Sequence, residues 1–129
     1  MREMASDVVK RRILLVEDTP EVREGYASFL EERGFEVVRA ADGIEALSLA
    51  KASPPSVVLL DIGLPRLDGY YVAEFWKRDP TMAKVPIIAI SSYTEGDYEV
   101  RALRAGCASA LRKPCSPNDV AVEISRILS

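Results

Sequence analysis

Three carboxylates, two hydroxyls and one amine each follow directly on a short run ending in strand-like residues. Glu17 and Asp18 follow ILLV, Asp61 follows VVLL, Ser91 and Ser92 follow IIAI, and Lys113 follows SALR and precedes Pro114. Carboxylates crowded into a low-dielectric crevice repel one another unless a cation joins them. An all-oxygen donor set suits Mg²⁺ or Mn²⁺, and Mg²⁺ commonly takes one or two carboxylates, keeps several waters and shares oxygens with a phosphate. A lysine ammonium and a hydroxyl could then hold two oxygens of a phosphoryl group. That is the equipment of phosphoryl transfer, in which positioning and charge neutralisation do most of the catalysis. Asp61 is the expected nucleophile, forming an aspartyl phosphate. Taken singly these residues are ordinary: a strand-end aspartate usually caps a helix or forms a turn, and a lone lysine or serine is usually solvated. Their joint placement carries the reading, and spacing alone does not choose between Ser91 and Ser92.

The elements that must position these groups show one repeated rhythm. Apolar runs at 13–16, 35–38, 56–60, 85–90 and 109–112 alternate with stretches of helical period. Val22, Tyr26, Phe29 and Leu30 keep the i, i+4, i+7, i+8 spacing of a helix face, as do Val120, Ile124, Ile127 and Leu128. Pro20 suits a first helical turn, Gly34 and Gly106 suit C-caps, and Asp42 and Asp68 suit N-caps. Five β-then-α units with near-continuous apolar strands predict an α/β fold: a doubly wound, five-stranded parallel sheet with helices on both faces. In such a sheet all strands' carboxyl ends lie on one edge, where ligands bind at the switch in strand order. The six candidate residues would therefore meet there. Tyr70, Tyr71, Phe75 and Trp76 are read as packing, residues 1–11 as an N-terminal tail, and 12–129 as the domain.

Composition removes several function classes. The 129 residues, 48% of them hydrophobic and 29% charged, fit one domain, and a formal charge of −3 lacks the basic footprint of direct nucleic-acid binding. Apolar runs of four to six residues are too short for membrane insertion or a secretory signal, so the expected location is the cytoplasm. The absence of histidine excludes a Ser-His-Asp triad, an imidazole base and a phosphohistidine on this chain. Cys107 and Cys115 are expected to be free, buried thiols.

ILLVEDTP, VVLLDIGLPRLDG, IIAISS and the Lys-Pro of LRKP, in that order and spacing, resemble the receiver domain of bacterial two-component response regulators over roughly residues 12–128. The resemblance implies the flavodoxin-like (βα)5 receiver fold. It implies Asp61 as phosphoacceptor, Asp18 as a direct metal ligand, Glu17 acting through water and the backbone carbonyl of Gly63 completing the protein's share of the shell. It further implies Ser91 as the hydroxyl engaging the phosphoryl group, Ser92 as the small residue after it, and Lys113 as its cationic partner with a cis bond to Pro114. The implied partners are a histidine kinase or histidine phosphotransfer protein upstream and a protein target downstream. The chain departs from the family pattern at Ala110, where a tyrosine or phenylalanine is usual, and at Cys115, where phenylalanine is frequent. Without a switching ring at 110, Tyr93 is expected to cover the pocket, with signalling through residues 91–98. The expected function is a stand-alone phosphorylation switch or phosphorelay shuttle that catalyses only its own phosphorylation and dephosphorylation, since the receiver takes up nearly the whole chain. The alternatives are a receiver fragment of a hybrid kinase or multidomain regulator and a Mg²⁺-dependent aspartyl-phosphate phosphatase. The phosphatase would want an acid two residues past the nucleophile, where this chain has Gly63.

Overall fold

The structure is a computed structural model that describes residues 10–92 and 96–129. Its strands are β1 (Arg12–Val16), β2 (Glu36–Ala40), β3 (Val57–Asp61), β4 (Ile87–Ser91) and β5 (Ser109–Arg112). The helices between and after them are α1 (Pro20–Glu32), α2 (Gly43–Ala52), α3 (Gly69–Arg78), α4 (Tyr98–Arg104) and α5 (Pro117–Leu128). All strand pairs are parallel, in the order β2-β1-β3-β4-β5.

Period-two alternation in the strands builds two cores. Leu14, Val16, Val58, Leu60, Ile87 and Ala89 face α2, α3 and α4, while Ile13, Leu15, Val57, Leu59, Ile88 and Ile90 face α1 and α5. β3 and β4 are buried throughout, as runs covered on both faces must be. β2 and β5, at the two edges, are not, so their sequences alternate or shorten.

Among the strand boundaries that differ from the apolar runs, two starts have identifiable reasons. Phe35 donates its N–H to Leu30 O and Gly34 to Glu31 O, closing α1 in a Schellman-type cap with Gly34 at φ 95°. Phe35 is thereby spent on the helix end, and β2 begins at Glu36. At the other boundary Pro86 has no N–H to give, although its carbonyl accepts from Val58, so β4 begins at Ile87. Gly106, at φ 108°, closes α4 with the same pair of bonds from Gly106 and Cys107. Asp42 and Asp68 cap α2 and α3 as expected, and Ser116, not anticipated, caps α5.

The aromatic group on α3 divides. Tyr70 and Trp76 are buried, whereas Tyr71 and Phe75 are 51% and 44% exposed, because only one face of a helix can meet the sheet. Cys107 is buried and Cys115 half-buried, and both are free. No described helix is long and apolar enough to cross a membrane.

Candidate functional site

Strand order fixes where the chemistry collects. The chain passes from β1 out to β2 and then back across β1 to β3, so the order switches between β1 and β3. Val16 pairs with Leu60, which makes Glu17 and Asp61 the next positions on neighbouring strands. Ile62 donates to Ile90 O, and Ser91 pairs with Arg112, one residue before Lys113. Parallel register therefore delivers every group singled out above to the same edge.

Glu17 is 1% exposed and Asp61 6% exposed, while Asp18 points to solvent. One carboxylate oxygen from each of the three lies within 4.8 Å of the others. The Lys113 ammonium donates to Glu17 Oε1 at 2.9 Å and to Asp61 Oδ2 at 3.2 Å. Thr19 N–H donates to the second oxygen of Glu17 at 3.1 Å, and Gly63 N–H to Asp61 Oδ1 at 2.9 Å. Asp18 receives no hydrogen bond from a described residue, so its carboxylate is the one left open. Burial works against the Lys113 charge, but its bonds to Glu17 and the charge of Asp61 outweigh this and hold the ammonium pKa above its ordinary value.

Local contacts aim Lys113. Its N–H donates to Ser91 O at 2.9 Å, and the following Lys113–Pro114 bond is cis. Tyr26, on α1, donates its hydroxyl to Cys115 O at 2.8 Å, bracing the turn just past the lysine. Burial is the main reason the Tyr26 phenol is pushed up. Ser91 is 1% exposed and Ser92 exposed, which separates two residues that spacing could not.

Sequence reasoning missed Thr19, Tyr26 and Arg23, whose guanidinium donates to Glu17 O at 2.9 Å. Only Thr19 carried a local sign, sitting before Pro20 at a helix start. Ala110 is half-buried on β5 and packs against the cluster that includes Tyr98. Tyr98, the first residue of α4, is fully buried and donates its hydroxyl to Leu111 O at 2.8 Å, so a helix ring flanks the strand that carries the alanine. Tyr93, expected to cover the pocket, lies outside the described residues.

A hard divalent cation suits this donor set, which among the described residues is three carboxylates with no nitrogen or sulfur ligand, and more negative than positive charge.

The family profile of the response regulator receiver domain matches residues 13–125. The chain is 33% identical over 119 residues to a probable transcriptional regulator, ycf27, of Porphyridium aerugineum, covering 92% of this chain but 48% of that protein. It is 31% identical over 106 residues to the polar-differentiation response regulator DivK of Brucella ovis, covering 82% of this chain and 86% of the relative. Among solved structures it superposes on the chemotaxis response regulator CheY4 of Vibrio cholerae with a TM-score of 0.87 at 25% identity, over 93% of this chain and 100% of that one. This chain belongs to the response regulator receiver domain family.

Proposed function

We propose that this chain accepts a phosphoryl group from a partner's phosphohistidine onto Asp61, with Mg²⁺ bound, and acts as a stand-alone phosphorylation switch or relay shuttle. The observation that carries this reading is the meeting of the Glu17, Asp18 and Asp61 carboxylates within 4.8 Å at the strand switch. Receiver domains are signalling switches that bind Mg²⁺ at an acidic pocket and meet kinases and downstream targets. Lacking histidine, this chain cannot carry a phosphohistidine itself, so that donor would come from a partner: a histidine kinase or a histidine phosphotransfer protein.

An Asp61 oxygen attacks the phosphorus, the O–P bond forming as the N–P bond breaks, and the imidazole leaves with the electron pair and takes up a proton. Gly63 N–H orients one oxygen of Asp61, and Lys113 stands at the other, placed to transfer its hydrogen bond to a phosphoryl oxygen. Ser91 offers a hydroxyl from the end of β4. Asp18, Asp61, the Gly63 carbonyl and Glu17 through water would hold Mg²⁺, which supplies neutralisation of charge on the transferring group.

Incubation with acetyl phosphate and Mg²⁺ should add one phosphoryl mass to the native chain and none to Asp61→Asn. Mg²⁺ should raise the melting temperature of the native chain, and Asp18→Ala should lose that response. Full labelling of the Asn variant, or an undiminished Mg²⁺ response in Asp18→Ala, refutes the assignment.

A second reading, a receiver module of a longer regulator or hybrid kinase, is favoured by the chain spanning about half of ycf27, 48% of its length. The mass of the native gene product in its own cell decides between the two.

A further inference from the structure

The loop from β3 to α3 holds an unusual turn. Arg66 has φ 67°, the one positive φ on a non-glycine among the described residues. Leu67 N–H donates to Pro65 O at 2.7 Å, so Arg66 is the middle residue of a γ-turn of the rarer, strained hand. A long side chain keeps such a conformation when its surroundings over-determine it.

The restraints are visible at both ends. At the base, Ile62 donates to Ile90 O and its own carbonyl accepts from Gly69, so Ile62 is pinned on two sides. At the tip, the Arg66 guanidinium bonds Asp42 Oδ2, 24 residues away. Asp42 is a fixed anchor: its Oδ1 caps Glu45 N–H at 2.9 Å, while the Glu45 carboxylate returns to Ala41 N–H at 2.7 Å, a reciprocal capping arrangement. Between the pinned Ile62 and the strained Arg66 lie Gly63, Leu64 and Pro65, and proline fixes its own φ. The soft dihedrals are therefore those of Gly63 and Leu64, and Gly63 is the residue whose amide orients Asp61.

We propose that Arg66 is a positioning residue: its bridge to Asp42 holds the 62–67 loop so that Gly63 and the Asp61 carboxylate are preset for a divalent cation. The proposal rests on the Mg²⁺-dependent reading above. The arginine end of the pair is largely exposed, with 61% of the Arg66 side chain accessible against 16% for Asp42, so the bridge contributes little to global stability. Its action is geometric and local to the loop.

The test is Mg²⁺ titration of the full chain, monitored by calorimetry and by the Gly63 and Leu67 amide resonances. Arg66→Ala should weaken Mg²⁺ binding by about tenfold, as loss of a ligand-orienting contact does, with the metal-free melting temperature unchanged. Asp42→Asn, which keeps a good N-cap but removes the charge, should weaken it similarly. The double variant should be no worse than either single one. Arg66→Gly, which adopts positive φ without strain, should recover part of the loss. Simple long-range electrostatics predicts opposite signs: removing the arginine would tighten cation binding and removing the aspartate would weaken it. Opposite signs, unchanged affinities in both single variants, or additive losses overturn the proposal. A native chain that ignores Mg²⁺ instead overturns the metal reading on which it rests, a failure visible before any variant is made.

Discussion

Glu17 carries a carboxylate to a place 1% exposed, and the arrangement holds because both of its oxygens are occupied, one by Lys113 and one by Thr19 N–H. Removing the ammonium would strand that buried acid. Lys113→Met should therefore destabilise the metal-free protein by about 2–3 kcal/mol, the low end for breaking a buried pair because the lysine is itself partly exposed. Urea unfolding with and without Mg²⁺ checks this: the deficit should shrink in Mg²⁺, which offers the carboxylates another cation. The acidic and basic partners were legible in the sequence because each ends a recognisable apolar run. Thr19, Tyr26 and the Arg66–Asp42 bridge were not. Tyr26 meets the chain 89 residues on and Arg66 reaches 24 residues back, and no local pattern encodes such encounters. Ser91 and Ser92 differ in burial, which their spacing did not encode.

At the scale of the element, the helices were readable from their period and their punctuation, since Pro20, Asp42, Asp68, Gly34 and Gly106 each stand at an end. Strand edges were less so, because Phe35 looks like strand but serves a helix cap, and side-chain polarity says nothing of where a backbone N–H is spent. Gly69 carries a constraint that the sequence hid. A Cβ there would lie 2.6 Å from Ile62 Cα, 2.9 Å from Ile62 O and 3.0 Å from Asp61 O, all of them backbone atoms. Gly69→Ala must push α3 away from β3 and its terminal Asp61, and is expected to cost about 2 kcal/mol or more and to slow labelling by acetyl phosphate. Gly25, inside α1 with nothing within 4 Å of a built Cβ, is the matched control: Gly25→Ala should stabilise by about 0.5–1 kcal/mol. Thermal unfolding of the two variants side by side separates contact from helix propensity.

At the scale of the whole molecule, the two cores set the response to alkali. Burial is the leading cause that raises the Tyr26 and Tyr98 phenols above their ordinary value and pushes the Cys107 thiol up to about 12. The folded chain thus keeps these protons to higher pH than the unfolded chain does. Stability from them is complete below the unfolded values of about 8.5 for a thiol and 10 for a phenol, and falls as pH rises through and beyond them. The melting temperature should therefore decline from about pH 9 upward. Ultraviolet titration should show Tyr26 and Tyr98 ionising later than an exposed tyrosine, and coincident titration of all the tyrosines would contradict the burial seen here.

Among the described residues a single ammonium stands against the carboxylates of the site, and this also has a consequence in time. Three acids against one lysine leave the strand edge with surplus negative charge, and a phosphoryl donor is itself an anion. On the phosphoryl-accepting role proposed above, the three carboxylates oppose such a visitor until positive charge has been added to that edge. In that role the pocket's charge would set the sequence of arrival, and the availability of a cation would become a permission that precedes the message.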